Sequence, residues 1–425
     1  MKNEIGHYIV NGKIYSNKFD AVLHAQQTNS NIEWYFFDEV FNKVNWHVEP
    51  QLSIDELYKI RAQQIREKYD YIIVFCSGGS DSNNVIRTFI NNNIHVDEVM
   101  ALAPTSGLNN WNFDKNNTNE DNTISEIKFA LFPILEEIKT KSPKTKITVN
   151  DYFENIIKQN DEYWVHDSCG DIVTVLTSHF TDINKFQHID RLIEQGKRVA
   201  LVYGSDKPII RTDMDDNLYY LFSDSGINYL NMPTYRQRPN LDRVLFYWTP
   251  DLPEMLVKQA HIVAKALTLP ENKSLKELLR LPLEPDTLWS FEKFNKFRID
   301  LGKQPITKEQ ILKNKLPNGV MTNHLLQFNN RSTYQRLIVP YIYPTTYTNN
   351  LFQCQKVNVD EGFFTKDQSW VHVLHKNSKI SEMIISGTKS LYNLISPKYL
   401  NKYGTCFNLN IKSYKYGNLK DFTHV

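Results

Sequence analysis

The sequence predicts an α/β fold organised around a parallel sheet, on three observations. Tyr71-Ile72-Ile73-Val74-Phe75 is a continuous apolar run rich in β-branched residues, the pattern of a strand buried on both faces. It breaks at Gly78-Gly79 and is followed by Val85, Ile86, Phe89 and Ile90, the stripe of an amphipathic helix. Residues 96–103 then supply a second apolar strand, so strand, loop, helix and strand follow in the order of a right-handed parallel crossover.

Composition bounds the rest. At about 150 residues per domain, 425 residues suggest two or three domains. Lys+Arg is 49 against 48 Asp+Glu, a formal charge of +1, which disfavours a dedicated nucleic-acid binder while leaving room for a local basic groove. With 41% hydrophobic and 12% aromatic residues the chain is no disordered polymer. Cys76, Cys169, Cys354 and Cys406 form no CxxC pair, which argues against a cysteine zinc site, a vicinal dithiol or a disulfide framework. Met1-Lys2-Asn3-Glu4 opens on polar sequence, and no run of about 18 apolar residues occurs; the expectation is a cytoplasmic protein without signal peptide or membrane span.

Taken in order, residues 1–52 form an accessory N-terminal element. Short apolar runs (Tyr8-Ile9-Val10, Trp34-Tyr35-Phe36-Phe37) flank turn residues there, with Asn11-Gly12 suited to a type I′ hairpin. Ser53 and Glu56 make an S-x-x-E capping box that starts a helix running to about Lys68, with Leu57, Ile60, Gln64 and Ile65 down one side. After the first crossover, residues 123–140 read as helix and 146–150 as a short strand. Residues 171–178 and 185–195 read as helix, and 199–203 as another strand, which again stops at glycine, Gly204-Ser205-Asp206-Lys207-Pro208. The pattern loses this regularity near Pro270, so 53–268 is assigned to the α/β domain and 269–425 to a mixed C-terminal region for substrate or partner. An open parallel sheet takes its ligand beyond the carboxyl ends of its strands, which is where both glycine turns lie.

Ser77-Gly78-Gly79-Ser80-Asp81-Ser82 is the segment richest in chemistry. Two glycines let the backbone approach an anion and present successive N–H groups. The following helix adds its N-terminal partial charge, and the three serine hydroxyls can donate to phosphate oxygens. Asp81 can hold a Mg²⁺ ion. The plainer alternative is a tight Gly-Gly turn capped by serines. Neither the Walker A pattern nor GxGxxG is present.

This segment resembles the PP-loop (SGGxDS) of the N-type ATP pyrophosphatase superfamily, which includes asparagine, GMP, NAD and argininosuccinate synthetases, tRNA-modifying enzymes and, more distantly, phosphosulfate reductases. The match runs without a gap from Ser77 to Ser82 behind a buried strand; convincing resemblance covers about 68–103 and fold-level resemblance extends to about 267. The resemblance implies a Rossmann-like (HUP-like), asparagine-synthetase-like domain that binds ATP and Mg²⁺. It implies cleavage between the α- and β-phosphates, with pyrophosphate held in the loop and an adenylate passed to a nitrogen or sulfur nucleophile. Adenine would lie near the backbone at Ala101 and Ala103, and since several members contact the phosphates with a lysine from a later helix, Lys258 is a candidate for that role.

Other candidates rest on position. Lys207 can neutralise phosphate charge, Asp206 can bind metal or orient a nucleophile, and Gly204 and Arg211 flank them; a surface loop with a Lys-Pro stop is the alternative. Asp81, Lys207 and Lys258 are the candidate catalytic residues. Arg236 and Arg238 can reach phosphates or an acidic substrate, or lie on a solvated loop. Phe246-Tyr247-Trp248 reads as core packing before it reads as a stacking platform. Glu126 reads as a helix surface charge, 213–216 as a solvated acidic turn, and His372 and His375 as packed or exposed rather than metal-bound.

Departures from the family narrow the reaction. There is no N-terminal glutaminase cysteine, no thiolating CxxC, and Gly404-Thr405-Cys406-Phe407 does not match the reductase motif. The leading expectation is therefore an AMP- and pyrophosphate-forming synthetase that adenylates a carboxylate or carbonyl for attack by an amine or ammonia. Modification of a nucleobase in RNA or DNA, or sulfur transfer, is the alternative, and a retired fold serving as an interaction module is a third reading. The expected partners are ATP and an acceptor not named by the sequence, with nucleic acid and a homo-oligomer left open.

Overall fold

Asn11 and Gly12 both take left-handed backbone angles (φ 50° and 75°), closing the hairpin of β1 (His7–Val10) and β2 (Lys13–Tyr15) as their sequence predicts. These elements belong to a computed structural model that describes residues 5–103, 131–151, 187–204, 209–224, 238–272, 342, 386, 390, 393–399 and 411–422. A helix that the sequence reading did not anticipate follows, α1 (Lys18–Thr28). The Asn17 side chain caps it by accepting from the amides of Phe19 (2.6 Å) and Asp20 (3.3 Å). Then come β3 (Glu33–Tyr35), which joins the other edge of β1, and the short α2 (Asp38–Phe41).

The capping box forms as expected: Ser53 Oγ accepts from Glu56 N–H and the Glu56 carboxylate accepts from Ser53 N–H, starting α3 (Ile54–Lys68). Next are β4 (Tyr71–Cys76), α4 (Ser80–Asn91), β5 (Glu98–Ala103) and α5 (Phe132–Lys141). They are followed by β6 (Lys146–Asp151), α6 (Gln187–Glu194) and β7 (Val199–Tyr203). The expected helix at 171–178 and the first part of that at 123–140 lie outside the described residues.

With β10 (Leu241–Leu245), the strands form a five-stranded parallel sheet in the order β10-β7-β4-β5-β6. The chain steps outward from β4 to β5 to β6, then returns past β4 to β7 and β10. Strand order therefore reverses between β4 and β7, the crevice where doubly wound sheets take ligands. The α/β class and the parallel sheet expected from the strand pattern are present, an arrangement compatible with a Rossmann-like core.

The structure departs from the sequence reading beyond Gly204. Residues 209–224 leave the parallel sheet as an antiparallel hairpin, β8 (Ile209–Thr212) and β9 (Asn217–Ser223). The C-terminal strand β11 (Ile411–Asn418) completes that sheet by pairing with β9. The last helix of the α/β unit, α7 (Glu254–Thr268), packs on α3. One continuous core runs from Ile5 to Phe422. It includes an aromatic cluster in which Trp248 meets Phe222 (centroids 3.8 Å apart) and Trp46 stacks on Tyr414 (4.7 Å). A buried ion pair, Lys18 to Asp224 at 2.9 Å, joins α1 to the end of β9, and the Tyr8 hydroxyl donates to the same carboxylate oxygen. Removing one partner of such a pair costs about 3–5 kcal/mol, because the other charge is left buried. No helix among the described residues is long and apolar enough to cross a membrane.

Candidate functional site

The loop at 77–82 leaves the carboxyl end of β4 beside the reversal point and turns directly into α4, whose N-cap is Gly79. Gly78 has φ +82°, and a Cβ there would lie 2.5 Å from the Leu131 amide nitrogen, so backbone conformation and close packing both demand glycine. The serines tie the loop to itself. Ser82 Oγ accepts from Ser77 N–H (3.2 Å) and donates to Gly79 O (3.2 Å), while Ser77 Oγ accepts from Gly79 N–H (3.3 Å). Ser77 is exposed; Gly78 to Ser82 are buried.

No side chain caps α4. Its first i−4 bond runs from Asn83 N–H to Gly79 O, so the amides of Ser80, Asp81 and Ser82 stand ahead of the intrahelical ladder. With the helix dipole behind them, such amides suit an anion. The helix is buried from Ser80 to Phe89, wider than the apolar stripe predicted. Its polar residues are matched: Arg87 donates to Asn83 Oδ1 (2.7 Å) and forks onto Glu137 of α5 (2.9 and 2.5 Å). Burial alone would raise the Glu137 carboxyl, but hydrogen bonds from Lys141 and Arg87 hold it below its usual range.

Two other strand ends meet the start of α4. Gly204, immediately after β7, packs so closely that a Cβ on it would lie 3.0 Å from the carbonyl carbon and oxygen of Asp81. Just past β10, the Tyr247 hydroxyl donates to that same carbonyl (3.0 Å) and accepts from Asn84 Nδ2 (2.9 Å). Arg61 of α3 holds the segment carrying Tyr247 by donating to Leu245 O (3.0 Å) and Phe246 O (3.3 Å) and pairing with Asp251 (3.1 Å). Burial pushes the Arg61 guanidinium pKa down, against the pull of Asp251. A groove of about 560 Å³ between α3 and the outer edge of β10 is lined by Arg61, Tyr69, Arg243, Trp248 and Asp251; no residue of 77–82 lines it.

The structure brings Ser77, Gly78, Gly79, Ser80, Asp81, Ser82 and Gly204 together. Ala103 ends β5 at the same sheet edge, paired with Asp151 of β6. Asp206, Lys207, Glu126, Arg236, His372 and His375 lie outside the described residues. Lys258 has other partners than the loop: its ammonium meets Glu49 (2.8 Å) and Pro50 O (3.0 Å), and Lys265 takes the second oxygen of Glu49 (2.8 Å). Burial would raise Glu49, yet these hydrogen bonds hold its pKa below normal. Arg211 lies in the second sheet, on β8 opposite Tyr219, with Nη1 donating to Ile210 O. It is thus placed apart from the parallel strands for which it was a cofactor candidate. Arg238 pairs with Asp190 of α6.

The acidic run 213–216 is a hairpin turn in which Asp213 accepts from the side chain of Asn217, from the amides of Asn217 and Asp215, and from Tyr219; these bonds hold its carboxyl below the usual range. Among the described residues no group of three or more His, Cys, Asp or Glu is placed to hold a metal.

Sequence reasoning missed Tyr247, whose aromatic run reads as core, and Arg61. Arg61 did leave a signal, since it falls between Leu57 and Ile65 at four-residue spacing on the buried stripe of α3. Compared with family models, curated proteins and solved structures, the chain matches none.

Proposed function

We propose that the protein is an ATP-dependent synthetase that releases AMP and pyrophosphate, with the 77–82 loop holding the departing pyrophosphate. One observation carries this reading: the SGGSDS segment lies where strand order reverses, at the start of α4, which no side chain caps, with Gly204, just past β7, beside it. Amides and hydroxyls fixed there act where negative charge accumulates as the α–β phosphate bond breaks. Mg²⁺ commonly binds through one or two carboxylates plus substrate phosphates, a mode that needs no three-ligand cage, and Asp81 is the loop's carboxylate. Its chemistry would be charge neutralisation. The substrate is a carboxylate or carbonyl compound and the nucleophile an amine or ammonia.

The test is incubation with ATP, Mg²⁺ and carboxylate acceptors with ammonia or amines, scoring nucleotide products. AMP with pyrophosphate is expected; ADP with phosphate refutes the chemistry. The double substitution Ser80→Ala, Asp81→Ala is expected to abolish ATP binding, and retained binding would show that the nucleotide sits elsewhere.

A further inference from the structure

From the contact between β10's exit and the start of α4, we infer that Tyr247 is a positioning residue for the phosphate loop. The inference rests on the proposed function and goes beyond it in assigning a role to a residue outside the motif.

Tyr247 is fully buried. Its ring packs edge-on against Phe246 (centroids 5.1 Å) and Tyr58 (5.8 Å), contacts that phenylalanine would make equally well. The hydroxyl is what distinguishes it, and that group is oriented. Asn84, itself fully buried on α4, donates to it, which leaves the hydroxyl proton directed at Asp81 O. The carbonyl of Asp81 and the N–H of Ser82 belong to one planar peptide and point in opposite directions. Fixing the oxygen therefore fixes the Ser82 amide, which stands in the first turn of α4, ahead of the helical ladder that begins at Asn83. Gly204 packs against the same peptide, and Arg61 anchors the two residues before Tyr247, so the peptide is held by the segments that follow β7 and β10. Preorganised donors stabilise developing charge because they need no reorientation during the reaction. Tyr247 touches no reacting atom; it acts through the Ser82 amide.

The experiment compares Tyr247→Phe with the unaltered full-length chain by calorimetric titration with ATP, pyrophosphate and AMP. The expected result is roughly tenfold weaker binding of ATP and pyrophosphate, the scale of one lost hydrogen bond, with AMP affinity unchanged. Loss of general structure would weaken all three together, and that outcome overturns the inference, as does unchanged pyrophosphate binding. Asn84→Leu, which removes the group that orients the hydroxyl, is expected to give a smaller loss with the same selectivity, and serves if Tyr247→Phe does not fold. Should the unaltered chain bind neither ATP nor pyrophosphate, the proposed function falls and takes this role with it. If the unaltered chain binds both and the variants do so equally well, the positioning role alone is wrong.

Discussion

Gly204 and Asp81 meet main chain to main chain: the hydrogen on Gly204 occupies a space in which a methyl group would sit 3.0 Å from the Asp81 carbonyl. Gly204→Ala must therefore push β7's exit away from the first turn of α4. The expected cost is about 1–3 kcal/mol of stability, typical of overpacking between fixed groups. ATP affinity should fall as well, since the displaced peptide carries a loop amide. Denaturant unfolding and ATP titration of one preparation check both; wild-type behaviour in each would refute the contact.

Gly78 and Gly12 share a left-handed backbone, φ +82° and +75°, but not their surroundings. A Cβ at Gly12 meets nothing within 4 Å, so Gly12→Ala should cost only the backbone penalty of roughly 1–2 kcal/mol. At Gly78 the same change also drives a methyl group into Leu131's main chain, adding about 1–3 kcal/mol. Equal unfolding free energies for the two variants would mean that Leu131 does not pack there.

Lys258→Met separates two roles for this lysine. Paired with Glu49 and Pro50 it is structural, so ATP affinity should be unchanged while stability drops by about 1 kcal/mol, with Lys265 still holding Glu49. Titration with ATP decides the matter: a large loss of affinity would show that the ammonium reaches phosphate in the bound state.

His261 predicts an acid-side loss of stability. Burial lowers its pKa from 6.5, outweighing the hydrogen bond to Trp46 O and the charge of Glu49; Lys265 and Lys258 lower it further. Its Nε2–H donates to Trp46 O at 3.0 Å, and its ring lies against Phe422 and Tyr416 of the C-terminal segment. Above the unfolded pKa both states are neutral and the contribution is complete. As pH falls below 6.5 the unfolded chain takes up a proton that the folded chain refuses, so stability declines until the lowered folded pKa is reached. Urea midpoints between pH 7.5 and 5 should show this slope, and His261→Gln should flatten it.

Several elements of the fold around the loop are legible in the sequence, because their determinants are local. Asn11-Gly12 closes a turn that needs two left-handed residues, Ser53 and Glu56 cap one another across three positions, and the β-branched apolar run at 71–75 fits a doubly buried strand ahead of the Gly-Gly loop. Residues that define such features lie within a few positions of one another, so their spacing records them.

Tertiary structure alone decided where the strand order reverses, that β8 and β9 abandon the parallel sheet, and that β11 returns from the chain's end to complete theirs. It also decided partners: Lys258 meets Glu49 and Pro50, Arg211 lies in the antiparallel sheet, and Tyr247 turns its hydroxyl to the Asp81 carbonyl. The physical reason is that periodicity encodes which face of an element seeks burial but not which partner covers it. A side chain's chemistry is set by the group that arrives across that face, often from far along the chain.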